Sequence, residues 1–242
     1  MDTLLDVIRR RHSSRGPFDK KRRPSEKDIG RILEAARWTP TAHNMQNFEI
    51  IVVDDKRILG HLGNIKYKTS EAFIRENCAL LSRSEGDLRS KKVGILGNGF
   101  PPEWRNPKAD FAKLAKESSS LLKYRIQGSP VLMILIYDPN KRAPASEGDS
   151  LGFMSIGCAM ENMWLTAESL GIGFHVISSF GNAEVEMEAR RILAIPKSMK
   201  IAFAIRLGYP IPSKWKYPRI RRNVADFIHR NRFGNKSLRT EK

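Results

Sequence analysis

The chain has 242 residues, of which 40% are hydrophobic, enough for one substantial core or two small ones. Its 43 Lys+Arg against 26 Asp+Glu leave a formal charge of +17. The basic residues run from Arg9 to Lys242 with no RNP-like, finger-like or Gly-rich basic motif, which argues against nucleic acid as the main partner and leaves anionic small ligands as the alternative. No apolar run reaches the roughly 18 residues of a membrane span, and no secretory signal pattern opens the chain. Cys78 and Cys158 stand far apart, so a disulfide scaffold and a zinc ribbon are disfavoured, no metal site is expected, and a cytoplasmic protein is.

Leu4, Leu5 and Ile8 recur at helical spacing over residues 3–11. The stretch "RRPSEKDIGRILEAARW" predicts a second helix. Pro24 precedes it, Ser25 can cap it with Asp28 three residues on, and Ile29, Ile32, Leu33 and Ala36 form one stripe. "FEIIVVDD" follows as a buried strand. Residues 54–128 mix short amphipathic pieces with "GILGNGFPPEWRNP", a surface loop or lid whose Phe100 and Trp104 are candidates for substrate contact. Gly94, Gly97 and Gly99 punctuate that loop and do not make a G-x-G-x-x-G after a clear strand.

"PVLMILIYD" is nearly all apolar and predicts an internal strand. Residues 150–170 predict a long helix. Leu151, Met154, Cys158, Trp164, Leu165 and Leu170 spread over much of its circumference, as expected for burial on several sides. "GFHVISSF" reads as a strand, "EVEMEARRILAI" as a helix, "KIAFAIRLGYP" as another internal strand and "NVADFIHR" as a short tail helix. Core strands interleaved with helices, one deeply buried, indicate an α+β sandwich in one domain over residues 1–242. A variable region falls at about 61–127 and a basic tail at about 212–242.

Gly148-Asp149-Ser150-Leu151-Gly152 matches G-x-S-x-G, and Asp226-x-x-His229 has the spacing of a hydrolase triad. A nucleophile elbow needs its Ser on a sharp turn between strand and helix. Here the preceding strand ends near Tyr137 and the polar "DPNKRAPASEG" intervenes, so Asp149 and Ser150 are better read as helix-capping residues. A Ser150/His229 esterase remains as the weaker alternative.

Two N-terminal segments carry more. In "RRRHSSRGPF", Arg11, His12, Ser13 and Arg15 place cationic forks, a hydroxyl and backbone N–H groups within five residues. That set suits a phosphate ester bearing a polyol, or a solvated basic turn. In "WTPTAHNMQNFEIIVV", Pro40 stops a helix, and Thr41, Asn44 and Gln46 precede a strand. These short polar groups could face a heteroaromatic ring, or satisfy their own loop.

Together the two segments resemble the nitroreductase family of FMN-dependent oxidoreductases. "RHSSRGPF" is similar to the family's R-R/H-S-x-R/K-x-F block, and "ILEAARWTPTAHNMQNF" to its L-x-x-A-x-x-A-P-S-x-x-N-x-Q-P-W helix and loop. "SPVLMILIYD", "GCAMENMWLTAESLGIGFHVIS" and "IAFAIRLGYP" resemble three later blocks, so the likeness covers about residues 3–60 and 128–232. It implies a nitroreductase-like α/β/α sandwich, dimeric, with a mostly antiparallel sheet around a buried central helix.

It also implies two FMN sites at a homodimer interface. Arg11, His12, Ser13 and Arg15 would hold the phosphate and ribityl chain, with one of Arg219, Arg221 and Arg222 also reaching the phosphate. Pro40, Thr41, Asn44 and Gln46 would border the isoalloxazine, some from a second subunit, and backbone groups at Ile177, Ser178 and Ser179 would face N5. The family's Q-P-W is Gln46-Asn47-Phe48 here, which loses the proline's rigidity and an indole donor. The implied activity is ping-pong reduction of a small organic acceptor such as a nitroaromatic, quinone or enone by NADPH or NADH, with no catalytic side chain required. The alternative in another class is a flavin-binding or electron-accepting protein without NAD(P)H turnover.

Overall fold

The computed structural model describes residues 3–96, 106, 108–117, 119–144, 146, 148–212 and 218–236. In chain order the first helices and strand are α1 (Leu4–Arg10), α2 (Glu26–Arg37), β1 (Phe48–Val53) and α3 (Lys56–Gly63). Short elements follow: α4 (Glu71–Arg75), β2 (Ser82–Arg83), α5 (Glu85–Lys91), β3 (Ile95–Leu96), α6 (Phe111–Glu117) and α7 (Ser119–Gln127). The remainder is β4 (Val131–Tyr137), α8 (Ser150–Ser169), β5 (Gly173–Ile177), α9 (Ala183–Ile192), β6 (Lys200–Gly208) and α10 (Val224–Phe227). They gather into two compact units, Met1–Lys68 with Ser118–Ser213, and Thr69–Glu117 with Lys214–Lys242. Phe100 and Trp104 lie outside the described residues.

The first unit is built on a four-stranded sheet in the order β1-β4-β6-β5, every neighbouring pair antiparallel. β4 explains the layering. Its side chains alternate, so Leu132, Ile134 and Ile136 enter one core with Leu59 of α3 and Leu122 and Ile126 of α7. Val131 and Met133 enter the other, with Ile29 and Ile32 of α2 and Met163 of α8. A strand buried on both faces needs a continuous apolar run, and "VLMILIY" supplies it. The result is an α+β, α/β/α sandwich, as the sequence blocks imply. Among the described residues no helix is long and apolar enough to cross a membrane.

Several local expectations are met. Ser25 accepts from the Asp28 N–H at the start of α2, and Ile29, Ile32 and Ala36 are buried. Three others need correction. "FEIIVV" forms an edge strand that is largely half-buried, because only β4 pairs with it. α8 buries Ser155, Ile156, Ala159, Met163, Trp164 and Ala167 on one side, but Phe153 is 52% and Met154 65% exposed, so within one chain it is not enclosed all round. Asp149 precedes α8 without a side-chain cap bond. Its φ of −99° and ψ of 4° are not the extended backbone that aims a capping side chain at the first N–H groups, and its carboxylate lies 3.5 Å from Arg142 instead.

The second unit is made of short pieces. Ser70 caps α4 and Ser84 caps α5, β2 and β3 form a two-residue parallel pair, and the Arg75 guanidinium lies 4.4 Å from the Phe111 ring centre. Asn223 and Asp226 form the reciprocal capping box of α10.

Candidate functional site

After α1 the chain leaves helical geometry at Arg11 and runs along the outer edge of β5. Ser13 makes a single parallel bridge to Phe174, and the Ser14 N–H donates to the Phe174 carbonyl at 2.9 Å. This covers the open edge of an outermost strand. Farther on, Phe18 bridges Pro210 and the Asp19 N–H donates to the Tyr209 carbonyl at 2.8 Å. Phe18 fills its seat so closely that a Cβ at Gly208 would stand 2.7 Å from its ring, and one at Gly173 2.8 Å. The glycines of "LGYP" and "GFH" are there for this contact.

Beneath that segment lies a buried arginine–histidine pair, carried within two of the resembling blocks, to which the sequence reading gave no role. Arg206 points from β6 into the interior with 0% exposure, and His175 beside it on β5 is 5% exposed. Arg206 Nε donates to His175 Nδ1 at 3.0 Å, and Nη2 donates to the Ser14 carbonyl at 2.8 Å and to the Gly16 carbonyl. The Phe18 ring centre lies 4.5 Å from its guanidinium carbon. Arginine only donates, so His175 Nδ1 is an acceptor, and a neutral ring carries its proton on Nε2. Burial, then the charges of Arg206, Arg125 and Arg15, pushes the His175 pKa from 6.5 down to about 3. Burial, then Arg125, lowers that of Arg206 to about 10. Arg125 of α7 is lowered chiefly by burial. None of Arg15, Arg125 and Arg206 is paired with a carboxylate among the described residues, and Arg206 Nη1 is buried without a hydrogen-bond partner. The sequence signal for this pair was present: a lone arginine inside the apolar run of an internal strand.

The anticipated phosphate-loop side chains divide. Arg11 lies 3.2 Å from Glu161 and packs over Trp164, whose Nε1 donates to the His12 carbonyl at 3.2 Å. His12 is exposed, with Nδ1 3.7 Å from Glu168, and Arg15 is exposed. Ile177 is fully buried at the end of β5, about 10 Å along the strand from the Ser14 docking point at three residues' rise. Ser178 is exposed, and Ser179 Oγ lies 3.4 Å from the Tyr67 hydroxyl. These two groups therefore share the β5 side of the sheet.

The Pro40–Gln46 loop is held elsewhere. Asn162 of α8 donates to Thr39 Oγ1 at 3.2 Å, and the Ala42 N–H donates to Ser155 Oγ at 3.2 Å. The Thr41 hydroxyl accepts from the Gln46 N–H at 3.2 Å, and Gln46 Nε2 donates to Asn44 Oδ1 at 3.0 Å. His43, Asn44 and Gln46 have φ of +50°, +53° and +44°, left-handed values that non-glycine residues seldom adopt and that often accompany functional loops. A shallow crevice beside the loop is lined by Ala42, Met45, Asn47, Tyr137, Gly152 and Phe153. This loop leads into β1, at the opposite edge of the sheet from β5, about 14 Å away at three interstrand spacings. One chain thus does not bring it together with the Arg11–Arg15 and Ile177–Ser179 segments.

Arg219, Arg221 and Arg222 belong to the second unit and are exposed; Arg221 donates to the Ile220 carbonyl, and Arg222 faces the Phe227 ring. In the same unit the supposed triad spacing does not form a charge relay. Asp226 Oδ2 accepts from the Asn223 N–H, while His229 Nδ1 accepts from the Gly234 N–H at 2.7 Å. Ser150 begins α8 with no strand leading directly into it.

Residues 8–209 match the model of the Nitroreductase family. A protein of Archaeoglobus fulgidus named for NADH dehydrogenase/NAD(P)H nitroreductase activity is 26% identical over 233 residues, covering 96% of this chain and 100% of its own. The iodotyrosine deiodinase of Thermotoga neapolitana is 24% identical over 219 residues, covering 90% of this chain and 95% of its own. An FMN-dependent nitroreductase of Clostridium difficile has a fold similar to this one, with a TM-score of 0.57 and 19% identity over 95% of this chain and 99% of that one. With the antiparallel sheet, the edge-docked arginine segment and the helix leading into the Pro40 loop already in place, the match over residues 8–209 shows that the chain belongs to the nitroreductase family of FMN-dependent oxidoreductases.

Proposed function

We propose that this chain binds FMN as one functional domain and uses NADH or NADPH to reduce a small organic acceptor. The donor set fits that cofactor. A phosphate ester and the electron-rich edge of a flavin both call for cationic N–H donors that no protein carboxylate has neutralised, and Arg15 and Arg125 answer to that description. Arg11, His12, Ser13 and Arg15 would hold the phosphate and ribityl chain, assisted by one of Arg219, Arg221 and Arg222. Ile177, Ser178 and Ser179 would lie along the ring. Pro40, Thr41, Asn44 and Gln46 would border it, some of them from a second subunit, which accords with their place at the far edge of the sheet.

When bound, FMN supplies two-electron redox chemistry in a ping-pong cycle, so no nucleophilic side chain is needed. The protein's share is to orient the cofactor, to place positive charge beside it and to exclude water. The homodimer is supported by the open apolar sides of two helices: Leu4 is 68% exposed on α1, and Phe153 and Met154 lie open on α8. A reducing cytoplasm accords with Cys158, which is unpaired.

The observation that carries this reading is the family match together with the arginine segment docked on β5. The test is direct. Purified protein, reconstituted with FMN, should be yellow with one flavin per chain and should bleach under NADH or NADPH without oxygen. Protein that takes up no FMN would overturn the reading, and yellow protein that neither nucleotide bleaches would establish the electron-accepting alternative. Acceptors should then be compared across nitroaromatic, quinone, enone and halogenated phenol classes, the last because one relative is an iodotyrosine deiodinase.

A further inference from the structure

We infer that Arg206 and His175 are positioning residues for the flavin, acting through the backbone of Ser14–Gly16 to aim the side chains of Ser13 and Arg15. The inference rests on the flavin reading of the Arg11–Arg15 segment. Two strands and the loop meet at this point. Arg206 comes from β6 and His175 from β5, and the guanidinium spans from the imidazole to the Ser14 and Gly16 carbonyls. The Ser14 carbonyl belongs to the peptide that leads into Arg15 and the Gly16 carbonyl to the residue after it, so releasing both would let the Arg15 side chain swing away. Phe18 beneath the guanidinium and the Ser14 N–H bond to Phe174 leave the loop one seat on the sheet.

A hydrophobic residue at position 206 would keep the strand but leave the buried Ser14 carbonyl, the part-buried Gly16 carbonyl and an imidazole nitrogen without donors. A lysine has one ammonium and cannot reproduce the fork that reaches three acceptors. The imidazole is the matching half. It accepts the Arg206 Nε–H only while neutral, and the charged groups facing it are Arg206 from β6, Arg125 from α7 and Arg15 from the loop. Protonating His175 would therefore remove an acceptor and add a fourth cation to three.

The experiment compares wild-type protein with Arg206→Met, Arg206→Lys and His175→Gln, measuring FMN affinity by fluorescence quenching. Amide exchange at Ser14 and Arg15 in the flavin-free protein gives a readout independent of flavin. Arg206→Met should weaken FMN binding about tenfold or more and speed exchange at both amides, with Arg206→Lys intermediate. The flavin-free chain already keeps His175 neutral, its value lowered to about 3, so between pH 7.5 and 5 the imidazole should add nothing to the acid dependence of FMN affinity. A glutamine carbonyl can accept the same Nε–H, so His175→Gln should bind FMN almost as wild type. Wild-type affinity and exchange in the folded Arg206→Lys protein, or a tenfold loss of affinity in His175→Gln, would overturn the positioning role alone. A wild-type chain that takes up no FMN would overturn the flavin reading and this inference with it.

Discussion

The Arg11–Phe18 segment and the Pro40–Asn47 loop are held in opposite ways. The first is seated on a strand edge and pinned from beneath by a buried arginine that no carboxylate neutralises. The second stands on left-handed backbone at three non-glycine positions, on one hydroxyl from α8, and on bonds that Lys141 and the Asp138 N–H donate to the Gln46 and Asn47 carbonyls. Buried charge gives the first loop a single geometry, at the cost of desolvating the ion. Backbone strain gives the second a shape that presents Asn44 and Gln46 outward, with both exposed. A ligand site built from both therefore combines a rigid element with one whose side chains are still open to a partner.

The sharpest way to break the contrast is Arg206→Met. Unpairing His175, the buried Ser14 carbonyl and the part-buried Gly16 carbonyl should cost about 3–5 kcal/mol, read as a lowered urea midpoint at pH 7.5. A loss under about 1 kcal/mol would show that the first loop is not held by the arginine.

Acid should act on the same loop. His175 is neutral in the fold because its value falls from 6.5 to about 3, so between those values the unfolded chain binds the extra proton. The stabilisation is complete above about pH 6.5 and is lost as pH falls toward 3, with a slope up to about 1.4 kcal/mol per pH unit. Denaturant titrations from pH 7.5 to 5 should show this slope in wild type and a flatter one in His175→Gln.

The second loop should respond less. Ser155→Ala removes the acceptor of the Ala42 N–H and should cost about 1–2 kcal/mol. Limited proteolysis should then cut within residues 40–46 while the 12–18 segment stays protected. Equal protection of both would mean that the strained loop holds itself. The smallest effect is expected at the start of α8. Asp149→Ala should change stability by less than about 0.5 kcal/mol, since no cap bond is lost. Ser25→Ala at the start of α2 should cost about 1 kcal/mol. Equal losses in thermal melts would contradict the cap geometry of both helices.

Much of the fold was legible because it rests on local patterns. The stripe of Ile29, Ile32 and Ala36 with Ser25 before it makes α2 almost unaided, and the unbroken "VLMILIY" could only be an inner strand. The Arg11–Arg15 and Pro40–Gln46 segments were visible as candidate binding elements because their residue types carry their chemistry with them. What was misjudged depended on neighbours distant in sequence. "FEIIVV" is apolar enough for a central strand, yet pairing places it at an edge. Asp149 has the right side chain for a cap, but its backbone does not aim it.

The sequence by itself determined the element order, the two arginine- and amide-bearing segments and membership of the family, because propensity, periodicity and short motifs act over a few residues. Tertiary structure alone decided that Arg206, His175 and the Ser14 and Gly16 carbonyls, up to 192 residues apart, meet in one buried cluster. It also decided that the Pro40–Gln46 loop lies across the sheet from that cluster. Strand pairing sets both outcomes, and which strands pair is a property of the whole core.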